Sequence, residues 1–398
     1  MAGTFDPLII GTSFRRPPPL SAYTPGIRSM KTLIAGAGIA GLAMATALRH
    51  RGISFEIVER GSSDTGSGAG MYLPGNAVRA LGQLGVIDRV RELAATIDTQ
   101  QIFNEHGRLL NEVDLASFWR HCGGCVSLSR SALQTVLKEA LADAPIRYGL
   151  SVSDIQQDPA GALVTFSDGS RRQYDLVIGA DGIQSTVRDA VFGRREPLDL
   201  GIASWRTIID NRFGITGWTA MLGRKRTLLA IPVERGRLYV YADIADSAGT
   251  YAGPNAPDLK ALFASFAGPL SRVADGLDKA SAIHAGRLRE VPAQMAHKGR
   301  IVLIGDAAHA TSPSMAQGAG MALEDALVLA DSLSDAKGVP TDLTAFSARR
   351  LGRVQWVQKQ SHKRDKVRSL PAPVRNIILS RFGTGLYAKS FGPLIEQI

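Results

Sequence analysis

Two kinds of apolar pattern run along this chain. The first is a short unbroken run that ends in a glycine turn and passes into helical spacing. Lys31-Thr32-Leu33-Ile34-Ala35, Tyr174-Asp175-Leu176-Val177-Ile178 and Ile301-Val302-Leu303-Ile304 are of this kind, and they predict strands buried on both faces, as in a parallel sheet. Ile53 to Val58 predicts a further strand ending at Glu59. The second kind fills residues 196–284, where strands and loops alternate. Thr227 to Val233 and Arg237 to Asp243 predict paired antiparallel strands joined near Arg235-Gly236, with Tyr239 and Tyr241 on one face. Between the two, Ile102 to Val113 reads as a hairpin turning at His106-Gly107, and Val126 to Ser129 as a short strand. Helical spacing follows through Val78, Leu81 and Leu84, with Asn76 suited to the N-cap, and again from Arg130 through Leu133 and Leu137. It returns from Met321 to Leu333 and from Leu343 to about Arg368, where Pro371 and Pro373 interrupt it. The fold class is therefore α/β: a Rossmann-like domain in two pieces, 30–195 and 285–340, an inserted mixed or antiparallel-sheet domain at 196–284, and a helical segment at 341–398. Residues 1–29, with Pro17-Pro18-Pro19, read as a disordered extension.

Composition narrows the class. With 398 residues the chain can bury a sizeable core. No apolar run reaches the roughly 18 residues that a membrane span needs. Residues 1–29 lack the apolar stretch and small-residue cleavage site of a secretory signal, so the expected location is the cytoplasm. The net charge of +10 owes much to Arg349 to Arg381, where the basic residues are spaced as a solvated helix face. No nucleic-acid-binding module accompanies it, so no nucleic-acid partner is expected. The two cysteines, Cys122 and Cys125, have no further ligands at metal-site spacing and read as ordinary thiols, and no metal is expected. His284 and His309 read as structural.

The candidate chemistry lies in the turns. Gly36-Ala37-Gly38-Ile39-Ala40-Gly41 sits between a strand and a helix. There the first glycine permits the turn, the second lets backbone approach a pyrophosphate, and the third lets helix and strand pack closely. Glu59 follows at about the 20-residue distance where an acidic side chain takes ribose hydroxyls, and it disfavours a 2′-phosphate. The expected ligand is thus FAD or NAD, with Arg60 flanking the adenine. Asp181-Gly182 ends another strand at the position for a phosphate-ribose unit. Gly305-Asp306 ends a third, ahead of a glycine-rich helix start at Gly318 and Gly320 that aims free N–H groups and a positive dipole end toward the ligand.

These motifs, in this order, resemble the single-component FAD-dependent aromatic monooxygenases, the group A family of p-hydroxybenzoate, salicylate and urate hydroxylases, over about residues 30–370. The resemblance implies Asp306 for the ribityl chain and Pro313 with Gly318, Ala319, Gly320 and Met321 for the flavin ring. It also implies that Gly70 and Met71 run beside the flavin, that Arg130 contacts FAD through its Arg-x-x-Leu-x-x-x-Leu segment, and that Asp181-Gly182 serves FAD and NADPH use. Ala316, where glycine is usual, and Gly320, where asparagine is frequent, depart from the family pattern. Arg226, Tyr239 and Tyr241 resemble substrate-acting residues of the urate hydroxylase branch, with Trp205-Arg206 a further pocket element. The implied activity is hydroxylation of a small aromatic or heteroaromatic ring by dioxygen through a flavin hydroperoxide, with NADPH or NADH as transient co-substrate, in a monomer or homodimer. Other readings are a membrane-associated quinone hydroxylase, a flavin halogenase, whose Trp-x-Trp-x-Ile-Pro segment is absent here, and a flavin-binding protein without turnover.

Overall fold

The computed structural model describes residues 30–62, 69–142, 144–251, 258–277, 283–294, 296–334 and 339–398. The proline-rich 1–29 extension and part of the Gly66–Gly70 stretch lie outside them. A six-stranded sheet runs in the order β18 (His297–Lys298), β19 (Ile301–Leu303), β12 (Leu176–Gly179), β1 (Thr32–Ala35), β2 (Phe55–Glu59), β8 (Ile146–Tyr148). All its neighbours are parallel except β18 with β19. The unbroken apolar runs are explained by two covered faces. Ile34 packs with Leu42 and Leu329, from α1 (Ile39–His50) and α10 (Gly318–Ser334), alongside Leu137 of α5 (Arg130–Ala140). Leu33 faces the other way, onto Val152, Val164 and Phe166 of a three-stranded sheet, β9 (Val152–Gln157), β10 (Ala162–Phe166) and β11 (Arg171–Tyr174), and onto Val187 of α6 (Thr186–Phe192).

A seven-stranded mixed sheet forms the second layer, in the order β17 (His284–Glu290), β13 (Leu198–Asp210), β16 (Arg237–Ala245), β15 (Arg226–Val233), β14 (Trp218–Gly223), β5 (Thr99–Asn104), β6 (Leu109–Asp114). The hairpin of β5 and β6 turns at Gly107 as expected, yet it joins this sheet through a parallel pairing of β5 with β14, so the layer draws on residues 99–114 as well as 196–284. One face packs on α7 (Leu259–Phe263) and α8 (Ser271–Gly276). The other faces α11 (Val339–Ser369), α12 (Ala372–Phe391) and the start of α10. A small sheet of β3 (Gly70–Leu73), β7 (Val126–Ser129) and β4 (Ala95–Thr96) joins the layers, together with α2 (Gly75–Gln83), α3 (Ile87–Leu93) and α4 (Leu115–Phe118).

Two expectations are corrected here. Pro74, not Asn76, precedes α2 as its N-cap. Asn76 is fully buried and exchanges two hydrogen bonds with Gln317, each 2.9 Å, tying α2 to the entrance of α10. The basic C-terminal stretch is not only a solvated face either. Arg350 is buried against Glu324 and Asp325 at 2.8 Å each, and Arg375 is buried with its guanidinium donating to the carbonyls of Leu222 and Gly223. These arginines stitch the C-terminal helices to the two layers.

Candidate functional site

Strand order places the site. β1 continues to β2 on one side and has β12 on the other, so a crevice opens where their carboxyl ends diverge. A Cβ at Gly36 (φ +109°) would stand 2.4 Å from the Ala180 carbonyl oxygen, and one at Gly41 would stand 1.9 Å from the Gly36 carbonyl oxygen. Gly36 thus allows the turn to touch the next strand, and Gly41 allows α1 to lie against the turn. Gly38 is different: a Cβ there meets nothing within 4 Å. Gly38 instead borders the cavity.

That cavity has a volume of about 550 Å³, within the range of ligand sites. Gly36, Gly38 and Ala40 of the first turn line it, with Glu59 and Arg60 from the end of β2 and Asp181 and Gly182 from the end of β12. Met71, Arg130, Asp306, Gly318 and Ala319 complete the set of expected residues in its wall. The Glu59 carboxylate is fixed by accepting the Ala37 N–H at 2.7 Å and the Gly61 N–H at 2.8 Å. Asp181 accepts the Val187 N–H and the Thr186 hydroxyl on Oδ2, while Oδ1 is buried with no partner. A buried carboxylate oxygen without a partner, on a residue of a wall whose glycines leave room for a phosphate, fits a dinucleotide with free hydroxyls, and the residues present fit FAD.

The remaining expected residues lie outside the wall. Gly70 backs onto the second layer, since a Cβ there would stand 2.4 Å from Tyr239 Cβ. Gly320 faces the Gln317 and Asn76 side chains, and Met321 is buried in the apolar core shared with Tyr239 and Tyr241. Pro313 opens a one-turn 3-10 segment, Pro313–Met315, that ends at Ala316 with φ +48°. The family's usual glycine at that position has its reason in this left-handed backbone, which costs an alanine roughly 1 kcal/mol.

Behind the Gly305-Asp306 turn sits a buried charge network. Asp325 accepts the Gly305 N–H at 2.9 Å, meets His309 Nε2 at 2.6 Å and accepts from Arg350. Burial alone would raise its carboxyl, but His309, Arg350 and the Gly305 N–H together hold it well below the usual carboxylate range. His309 is thus buried and held against Asp325. Cys122 and Cys125 are buried free thiols, and burial pushes Cys125 up to about 12.

Register sorts the substrate-side residues. Tyr239 lies opposite Ile208 and Ile231, and Tyr241 opposite Arg206 and Leu229, so these share one face of the sheet. The Arg206 guanidinium lies 5.7 Å from the Tyr241 ring centre, and the Tyr241 hydroxyl donates to Asp243 at 2.8 Å, which also accepts from Arg368 at 2.6 Å. Burial pushes Tyr239 up to about 12 against the opposing pull of Arg206. Arg226 does not join them. It pairs with Ile244 on the opposite face, where its guanidinium donates to the Leu262 carbonyl and the Ser265 hydroxyl and covers the Phe266 ring at 5.2 Å. Trp205 is on that far face too, packed in the same core as Phe266.

The cavity also uses residues not singled out in advance. Ser131, Gln134, Thr135 and Lys138 form one stripe of α5, at i, i+3, i+4 and i+7, opposite the buried Leu133, Val136 and Leu137. Their helical period was readable, but nothing in the sequence told a ligand-facing polar stripe from a solvent-facing one.

Residues 29–361 match the family model described as FAD binding domain. The chain is 31% identical to the aurachin C monooxygenase/isomerase of Stigmatella aurantiaca, over 81% of this chain and 86% of that protein. It is 33% identical to the 2-heptyl-3-hydroxy-4(1H)-quinolone synthase of Pseudomonas aeruginosa, over 83% and 88%. The fold is similar to the crystal structure of Klebsiella pneumoniae HpxO complexed with FAD and uric acid, with a TM-score of 0.77, 26% identity, and coverage of 92% of this chain and 93% of that one.

Proposed function

We infer the function of this chain from its family and its cavity together: it belongs to the FAD-binding-domain family of flavin-dependent monooxygenases. It is an FAD-dependent monooxygenase acting on an aromatic or heteroaromatic substrate. The observation that carries the residue-level reading is the cavity in which both glycine turns, Glu59, Asp306 and the unpaired Asp181 oxygen meet. Bound there, FAD supplies the redox chemistry, taking electrons from NADPH or NADH and activating dioxygen for transfer of one oxygen atom to the substrate ring.

The chain's own residues bind, orient and shield. Glu59 holds the adenosine ribose, with Arg60 beside the adenine. Asp181, Gly182 and Arg130 hold the central part of the cofactor, and Asp306 the ribityl chain. The first turn of α10, at Gly318 and Ala319, presents unpaired N–H groups and a positive dipole end that favour the electron-rich end of the ligand. Met71, in the cavity wall, and Gly70, against Tyr239, make β3 the partition between cofactor and substrate face. On that face Arg206 polarises a ring oxygen of the substrate, while Tyr239 and Tyr241 orient the ring as neutral phenols. The surrounding apolar core, including Ile231, Met315 and Met321, keeps water out. Arg226 serves the fold rather than the substrate. Among the described residues no helix is long and apolar enough to cross a membrane, and we place the enzyme's work in the cytoplasm.

The test is NAD(P)H oxidation by the FAD-loaded protein with a panel of phenols, heteroaromatic acids and 4-quinolones. One compound should accelerate the oxidation and be recovered with one added oxygen atom. Oxidation that no aromatic compound accelerates, with none converted, would contradict the proposed activity.

A further inference from the structure

α12 packs on the molecule by one side only. Arg375, Gly383, Tyr387 and Phe391 are buried, and Gly383 comes so close to β6 that a Cβ there would stand 2.5 Å from the Asn111 side chain. The opposite side is apolar and open. Val374, Ile377 and Phe382, spaced as i, i+3 and i+8 on one face of the helix, are 48%, 57% and 60% exposed. No other described element exposes more than one large apolar side chain. A single exposed apolar residue is ordinary, but three on one helix face make a patch that calls for a partner.

The charges around the patch select that partner. Arg381 and Lys389 stand exposed among these apolar residues, and α12 contains no acidic residue. The neighbouring α11 is joined to α12 by the Trp356 Nε1 bond to the Ser390 carbonyl at 3.4 Å, and it turns Lys359, Lys363 and Lys366 outward at i, i+4 and i+7. None of these five cations forms an ion pair among the described residues. The one acid of α11 after Asp342, Asp365, is half-buried and accepts from the Ser314 hydroxyl. On β6, beneath α12, Glu112 accepts from Gln101 and Asp114 from Ser117. We propose that α12 docks the protein on an anionic lipid surface. Val374, Ile377 and Phe382 enter the layer between headgroups and acyl chains, while Arg381, Lys389 and the α11 lysines meet lipid phosphates. A second copy of this chain fits the face less well, because it would lay like charges against one another. The contact is peripheral, since no helix among the described residues is long and apolar enough to cross a membrane.

Sedimentation of the full-length, FAD-loaded protein with vesicles tests it, using phosphatidylcholine alone and phosphatidylcholine mixed with phosphatidylglycerol. The anionic vesicles should bind about tenfold or more tightly than the neutral ones, and the binding should weaken as salt rises. Ile377→Ser combined with Phe382→Ser leaves the net charge unchanged and should lower the affinity about tenfold or more. Arg381→Glu combined with Lys389→Glu should reduce the preference for anionic vesicles. All four positions are exposed, so both double variants should keep their FAD and melt within about two degrees of wild type. No binding to the anionic vesicles, or binding that the serine variant retains in full, would overturn the proposal, the latter by tracing it to the basic chain as a whole. So would a lipid-free dimer that the serine variant dissolves, which would give the face to a second copy, or a variant that loses its FAD or melts several degrees lower, which would give these side chains to the fold.

Discussion

At the scale of single residues, strand parity decides which arginine shares the face of Tyr239 and Tyr241, the face proposed for the substrate. Arg206 and Arg226 are both long, basic and on neighbouring parts of the same sheet, but β13 and β15 turn them to opposite faces. Arg206→Gln should therefore lower kcat by about 10²-fold, the usual loss for a donor aimed at developing charge. Arg226→Gln should leave kcat within about twofold and cost roughly 1 kcal/mol of stability through its lost contacts to Leu262 and Ser265, read from urea unfolding. Equal losses of kcat in the two variants would contradict the assignment. Tyr239 gives a pH prediction. Its folded pKa is raised to about 12, so the stability it contributes is fully present below the ordinary tyrosine value of about 10 and is lost as pH rises through 12. Between pH 6 and 9 it stays a neutral phenol, and the kcat profile of Tyr239→Phe should keep the wild-type shape. The alternation that put Tyr239 and Tyr241 together was legible in the sequence. The face taken by Arg226 was not, because it depends on the register across β15 and β16, which sequence period alone leaves open.

At the scale of elements, the glycine turns were the most legible part of the chain, since Gly36 and Gly41 each meet a steric limit set by their neighbours in sequence and strand. Gly41→Ala places a methyl where the Gly36 carbonyl oxygen stands. It should cost about 1–3 kcal/mol by forcing α1 off the turn, read from urea unfolding, whereas Gly38→Ala, whose Cβ meets no protein atom within 4 Å and borders the cavity, should leave stability near wild type and weaken FAD binding, read by fluorescence titration of apoprotein with FAD. The network behind Asp306 was far less legible: Asp325, Arg350 and Glu324 look in sequence like ordinary helix-surface charges. Only the packing of α11 on α10 shows that they are buried and paired. Asp325→Asn should destabilise the protein by about 3 kcal/mol at neutral pH by leaving Arg350 and His309 short of a carboxylate. Because the folded pKa of Asp325 is depressed, its contribution is present above the unfolded value of about 3.9 and is lost as pH falls toward the lower folded value. The stability gap between wild type and Asp325→Asn should stay constant from pH 8 to about 5 and narrow below about pH 4. A gap that widens on acidification would contradict the pairing.

At the scale of the whole molecule, two layers divide the labour, and β3 with the start of α10 forms the seam. The six-stranded sheet carries the residues proposed to hold the cofactor at its carboxyl edge, and the seven-stranded sheet turns one aromatic face toward that edge. The parallel strands announced themselves as apolar runs, whereas the recruitment of residues 99–114 into the second sheet and the pinning of the C-terminal helices by Arg350 and Arg375 depend on long-range contacts that no local pattern encodes. Together the layers make one claim, that this chain holds FAD where a nicotinamide can reduce it while an aromatic ring waits on the other side of the seam. The most direct test is to mix the purified, FAD-loaded protein with NADPH or NADH without oxygen and follow the flavin absorption, with and without each aromatic candidate. The account predicts that flavin absorption bleaches and that one aromatic compound accelerates the bleaching. A protein that retains no flavin, or whose flavin neither nicotinamide ever reduces, would contradict it.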